Sequence, residues 1–596
     1  FINNKTSAKL NAIGGAIYNN SRINSIVADF ISNSSLSTSG NAIGGAIYNN
    51  GKINSLKGLF VSNITNGISV QGGAIANSGY ISLLDSSFVE NKTSSGNGVA
   101  QGGAIYNSGA LEFQGLIAFS GNYSYTLNKN SYGGAIYNVG MMTGTISGEF
   151  NENFVQSISG NVYGGSIYNT GFINEITAPF TSSSAKGVNA YGGAIFNTNE
   201  IISVKSDFYN NNIVATSIAQ GGAICSSGTI QQLYSEFNEN FVNSSKLAQG
   251  GAIYNLGDIY SFYSDDKTAY FEKNYTLSTS DNSEGGAIYN NGSILSLNKI
   301  DFNNNYSKSN NSNAYGGAIY NAGMISKIVD NNFENNYSVA QKGIASGGAI
   351  YSSGSIKNID TRFINNYASG NSAQGGALYN DGIIISINSI FEGNVVKASV
   401  GDAYGGAIYH SGILTNGIIN STFKNNYAFS SSGNAYGGAI YAISDFTIKA
   451  DNGTTAFQGN YVQTGSGDKI SQAIYVGDSS ATITLRTTNN GTILFDDDID
   501  GAYGYKINIS GDDTSSVVFN NTVYNAVITL NNTKLQFNEN TFKKTNSLLI
   551  TNSGIINLVD TEAKNYTISN LTSNENASYS IDIDPLNNTA DTIKII

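Results

Sequence analysis

Gly102-Gly103-Ala104-Ile105-Tyr106-Asn107 is one of fifteen copies of a single six-residue pattern, and the regularity of its return decides what kind of molecule this is. Allowing about one change per copy, the pattern starts at Gly14, Gly44, Gly72, Gly102, Gly133, Gly164, Gly192, Gly221, Gly250, Gly285, Gly316, Gly347, Gly375, Gly405 and Gly437. First and last starts are 437 − 14 = 423 residues apart over fourteen intervals, a period of about 30 that belongs to solenoids and arrays. A second motif, FxxN, lies between copies, as in Phe60 to Asn63, Phe88 to Asn91 and Phe391 to Asn394. Its Phe follows the GG by 16 or 17 residues in twelve of the fifteen units, and the next GG follows that Phe after 12 to 14. Spacing held from both sides is what stacked repeats require, because a length change must leave the stacking register alone.

Composition selects the kind of solenoid. Only 12% of the residues are charged, whereas helical repeats need Glu, Lys, Leu and Ala at 3.6 periodicity. Short stretches such as Ile53-Asn54-Ser55-Leu56 and Ile81-Ser82-Leu83 are rich in β-formers and bounded by Gly and Asn, so they read as strands. Three strands per unit are expected: one through GGAIYN, one through the following Ile-x-x-Ile, and one around FxxN. The residue two after the motif Asn is Gly in twelve copies, including Gly51, Gly79, Gly292 and Gly412, and is expected to turn a corner at positive φ. Three strands and three corners, repeated every ~4.8 Å, predict an all-β chain folded as a right-handed parallel β-helix.

Each column of the stack becomes a ladder. The position after GGA is Ile in fourteen copies and Leu378 in the other, as a buried aliphatic stack requires. Asn19, Asn49, Asn107 and Asn255 predict amides hydrogen-bonded from rung to rung, and the FxxN Phe and Asn predict a second pair of ladders. Between Ile and Asn stands Tyr in twelve copies, replaced by Ala76, Phe196 and Cys225. If Ile17 points inward, Tyr18 points outward. The tyrosine stripe is then either a binding surface or the seat of a covering loop. The least uniform segments run from FxxN to the next GG, for example Tyr123–Lys129 against Asn305–Asn310, and read as polar tips and turns.

Interleaved GGAI and FxxN tetrapeptides over residues 1–476 make the chain resemble the polymorphic outer-membrane protein family of autotransporter-type surface proteins. The resemblance implies a β-helical passenger that is exported, held at the outer membrane by a C-terminal barrel, and active in adhesion. On that reading the protein is surface-exposed and extracellular. Its partners would be proteins or glycans of a host or neighbouring cell, or further copies of itself, with membrane contact only through a barrel that this sequence does not include. No signal segment opens the chain, and Phe1-Ile2-Asn3-Asn4 is itself an FxxN, so further repeats are expected before it. Residues 477–596 lose GGAIYN after Ser471-Gln472-Ala473-Ile474-Tyr475-Val476 but keep alternating runs such as Ala481–Leu485, and are expected to continue the helix in degenerate form.

Candidate chemistry is sparse. A net charge of −12 disfavours nucleic acid as a partner. Cys225, the only cysteine, sits in the tyrosine column and reads as a buried structural thiol; His410, the only histidine, fills an Asn slot and reads as a local variant. Two acidic groups stand out because some β-helices cleave polysaccharides with paired carboxylates: Asp265-Asp266 with Glu272, and Asp496-Asp497-Asp498 with Asp500. The second group also offers oxygen ligands of the kind Ca²⁺ takes, though without a calcium-loop pattern; a solvated turn is the simpler expectation. No catalytic residue, metal ligand or cofactor is assigned. Besides an adhesin, the pattern admits an architectural fibre or coat element and, more remotely, a polysaccharide-active enzyme.

Overall fold

A computed structural model describes residues 1–263, 269–542, 544–545, 547–560, 562–574, 576–585, 587 and 589–595. All regular structure among them is β, and no helix is long and apolar enough to cross a membrane. The chain divides into two compact units, Phe1–Ser312 with Ala318–Met324, and Asn313–Gly317 with Ile325–Ile596. The change of motif at 476/477 lies inside the second unit.

Within each unit the rungs pair in parallel and in register, as a parallel β-helix requires. In the first unit Ile75–Asn77 lies between Ile47–Asn49 and Ile105–Asn107, with Ile on Ile and Asn on Asn. The FxxN phenylalanines, from Phe30 through Phe302, are buried and stacked nearly flat, centroids 4.5 to 5.0 Å apart. In the second unit Phe363, Phe391, Phe423 and Phe457 repeat the arrangement. Ile105 and Ile253 are fully buried, so the inward assignment of the isoleucine column holds.

The strands divide among the three sheets differently from the sequence expectation. Ile-x-x-Ile and the FxxN Phe share one sheet; Tyr80–Val89 runs unbroken through both. The third sheet is built from the segments expected to be tips and turns. Tyr123–Thr126 pairs with Lys92–Ser95 on one side and Phe154–Ser157 on the other, and Ser131–Tyr132 pairs with Val162–Tyr163. Its inward residues are small or hydroxylated, such as Thr93, Ser124 and Ala185. A period-two pattern made of Ser, Thr and Ala carries little hydrophobic signal.

The glycines also act differently from expectation. Gly79 does not take up positive φ; a Cβ there would stand 2.0 Å from the carbonyl oxygen of Gly51 one rung away. Close approach of successive rungs therefore fixes the glycine two after the Asn. Positive φ belongs to the first glycine of GG, at +67° for Gly102, while a Cβ on Gly103 would collide with the Gly134 oxygen at 1.9 Å. The residue just before the FxxN Asn is also left-handed, although it is Glu90, Glu152, Ser182 or Lys273. That conformation costs about 1 kcal/mol or more for a residue with a side chain. It persists at Ser182, where Ser183 follows in the Asn place.

Asn63 accepts both the backbone N–H and the amide of Asn33 at 2.9 Å, and donates to the Phe30 carbonyl and to Asn91 Oδ1, each at 2.9 Å. All of its amide capacity is used inside the wall, away from water. Asn91, Asn122 and Asn153 continue the ladder, as do Asn366, Asn394, Asn426 and Asn460 in the second unit. In the GGAIYN column Asn77, Asn107, Asn138 and Asn169 pass one amide bond to the next rung at 2.8 Å.

Late in the second unit the rung contracts. The third sheet ends where Tyr461–Thr464 meets Ile470–Ser471 antiparallel. Beyond it Ile507, Ile528 and Leu548 are register partners, so the rung there is about 20 residues. Tyr566, buried, sets its ring edge-on to Phe537 at 5.7 Å.

Candidate functional site

Alternation fixes what reaches the outer surface. Tyr106, Tyr137, Tyr168 and Phe196 stack along the outside of the GGAIYN sheet at 4.8 to 5.3 Å. The residue before each GG points outward from the adjoining sheet, and where it is aromatic it builds a second stack of Tyr132, Tyr163 and Tyr191. The two stacks meet edge to face. Tyr132 lies 5.7 Å from Tyr137 at 80°, and Tyr163 lies 5.0 Å from Phe196 at 68°. Their outer faces therefore converge at the GG corner, where the second column partly covers the first. Cover varies: Tyr18 is 55% exposed and Tyr254 only 7%. Burial pushes the Tyr137 phenol up to about 12, so this ring stays neutral at ordinary pH.

In several other rungs the second column is amide. Gln71 donates to Gln101 at 3.0 Å, Gln220 to Gln249 at 2.6 Å, and Gln249 to the buried Glu284 at 2.6 Å. A third outward column follows the FxxN Asn on the third sheet. Phe241, Tyr275 and Tyr306 stack there in the first unit, and in the second unit Tyr337 with Tyr367 and Tyr427 with Tyr461. Rings stacked this way cover each other's faces and present edges and hydroxyls to solvent.

The acidic group at the end of the repeat region is not a solvated turn. Asp497 is buried and accepts the Gly459 N–H at 2.9 Å, the Asn460 N–H at 2.9 Å and the Asn460 amide at 2.7 Å. It closes the FxxN amide ladder. Burial pushes its carboxyl up against the pull of those donors. Asp496 accepts from Asn520, Asp498 from the Thr522 N–H, and Asp500 from Gly501 and Asn525. Each carboxylate thus serves the backbone or an amide of an adjoining rung. Among the described residues no three His, Cys, Asp or Glu side chains converge as a metal would require. Glu272 pairs with Lys273 at 3.1 Å; Asp265 and Asp266 lie outside the described residues.

His410 occupies the amide ladder as a neutral acceptor, its Nδ1 receiving the Asn380 amide at 3.1 Å. Leu378, Ile387, Ile408, Leu414, Ile418, Ile440 and Phe446 surround it. Burial drives its pKa down to about 4, opposed by the Asp445 backbone. Cys225 is buried among Phe196, Tyr191 and Tyr254, and burial pushes its thiol up, away from the reactive thiolate. Asn63-Ile64-Thr65 and its counterparts have the form of a glycosylation acceptor, but Asn63 is fully buried and Thr65 donates to the Gly72 carbonyl at 2.7 Å. That triplet serves the fold.

Compared with known proteins, the chain matches no family model, no curated relative and no solved structure.

Proposed function

We propose that this chain is the passenger of a bacterial autotransporter-type surface protein, acting as an adhesin or a self-associating protein through its outer faces. What supports the reading is the material of those faces: long columns of tyrosine with Asn, Gln and Ser on a rigid wall. Tyrosine supplies large contact area with few rotatable bonds, and short amides and hydroxyls adapt their hydrogen bonding to a partner. Weak contacts repeated along such columns sum by multivalency. The interleaved GGAI and FxxN pattern points the same way through its family resemblance, and proteins or glycans of another cell are the partners it suggests.

The test is adherence. Beads coated with the purified chain should bind intact cells or aggregate with one another, and soluble chain should compete. Replacing Tyr106, Tyr137 and Tyr168 together by Ser, which leaves the buried Ile and Asn columns intact, should weaken that adherence. Beads that neither bind cells nor associate with each other would sink the proposal.

A further inference from the structure

The third outward column of the first unit is interrupted. Lys92, Tyr123, Phe154, Ser184, Asn212, Phe241, Tyr275 and Tyr306 are successive register partners. Tyr123 stacks on Phe154 at 5.3 Å, and Phe241 stacks on Tyr275 at 5.0 Å. Among the described residues, Phe154 and Phe241 each have a stacked ring on one side only. On their other sides stand Ser184 and Asn212, so two phenyl faces look at each other across two rungs of short polar residues. Three rung spacings separate the rings, about 14 Å.

The floor between them is polar and incompletely used. The Ser184 hydroxyl donates to Asn212 Oδ1 at 2.8 Å, and Asn212 Nδ2 donates to the Asn210 carbonyl at 3.4 Å. One amide hydrogen and the hydroxyl lone pairs remain for a guest. Two residues further along these strands stand Gln156, Lys186 and Val214, the last two exposed.

We propose that this slot binds a glycan between its two aromatic end walls, pyranose C–H surfaces packing against Phe154 and Phe241. A pyranose has an apolar C–H face and a rim of hydroxyls, matching aromatic end walls above an amide and hydroxyl floor. One planar ring is too thin to touch both walls, and a wholly apolar guest would leave the floor unmet. Lys186 at the edge suits a uronic acid carboxylate as well as a neutral unit. The inference deepens the adhesion reading and rests on it only for the setting in which such a glycan is met.

The full chain should be titrated with cellobiose and with N,N′-diacetylchitobiose and followed by saturation-transfer NMR. Saturable binding of at least one is expected, weakened at least about fivefold by Phe154→Ala or Phe241→Ala, as loss of roughly 1 kcal/mol of ring contact implies. Tyr306→Ala, in the unbroken part of the column, should leave it unchanged. The double variant Ser184→Phe, Asn212→Phe should complete the stack, keep the protein folded and abolish binding. Failure of both sugars to bind, or binding that survives the filled slot, would overturn the site. Adherence of coated beads that persists in the filled-slot variant would leave the broader reading standing without this site.

Discussion

The amide ladder around Asn122 in the first unit and the end of the corresponding ladder at Asp497 in the second unit use the same geometry with different chemistry. Asn122 accepts from the Asn91 N–H and amide at 3.1 Å while donating to the Phe88 carbonyl at 2.9 Å and to Asn153 at 3.0 Å. Asp497 accepts from the Asn460 N–H and amide in the same way and donates nothing. The amide-to-amide bonds therefore have a direction: where Asn meets Asn, each donates to the Asn of the next rung along the chain. An interior position must be an amide, because only an amide both accepts and donates twice. A terminal position needs acceptors alone. Glu284 ends the Gln220, Gln249 run by the same rule. His410 also receives an amide bond, and the residue above it, Ala442, has nothing to offer in return.

If direction is what matters, one atom exchanged in each place should give unequal effects. Asn122→Asp sets carboxylate oxygens against the Phe88 carbonyl and Asn153 Oδ1, with burial complete. It should cost about 3–5 kcal/mol and open the neighbouring rungs, read as lost hydrogen-exchange protection around Asn91 and Asn153. Asp497→Asn keeps an acceptor for Asn460 and misplaces one N–H against that of Gly459. About 1–2 kcal/mol is expected there. Equal losses at the two positions would remove the directional account.

His410 sharpens the comparison through pH. Its folded pKa of about 4 lies below the ordinary 6.5, so the unfolded chain takes up the proton first. The stability is fully present above about pH 6.5 and is lost as the pH falls toward 4. A gap of this size corresponds to roughly 3 kcal/mol. His410→Asn restores the commonest residue of the column and should flatten the unfolding midpoint over that window while keeping the bond from Asn380. A variant as acid-sensitive as the parent would place the effect elsewhere.

Legibility in the sequence followed hydrophobicity and repetition. The Ile column, the Phe column and both Asn ladders recur at fixed spacing, so Ile253, Phe271 and Asn255 were assignable without coordinates. The third sheet was not, because Thr93, Ser124 and Thr276 face inward in place of apolar residues. Left-handed Glu90 and Lys273 carry no mark of it, since neither residue type favours that conformation. Gly79 was readable as necessary but not why: close approach and positive φ demand the same residue. Asp496-Asp497-Asp498 suggested solvent because charge runs usually face water, whereas Asp497 is held by three N–H groups of the preceding rung. The interrupted column at Ser184 and Asn212 was visible only once the third sheet was known.

One rung breaks the ladder rule in the middle and repairs it locally. Ser183 stands in the FxxN Asn slot and keeps only the backbone bond to Asn211 at 3.0 Å. Its hydroxyl meets Ser166 at 2.7 Å, and Ser166 is the one residue of the GGA column that is not Ala. The two departures are thus a contacting, fully buried pair. Ser166→Ala alone strands the Ser183 hydroxyl, and Ser183→Asn alone must fit an amide beside Ser166, so each should cost about 1 kcal/mol. Ser166→Ala combined with Ser183→Asn recreates the ordinary rung, and this double variant should be at least as stable as the parent. A double-mutant cycle on unfolding should then return a coupling of roughly 1 kcal/mol or more. Additive losses would mean that Ser166 and Ser183 depart from the pattern independently, and that an amide missing from the ladder needs no partner to offset it.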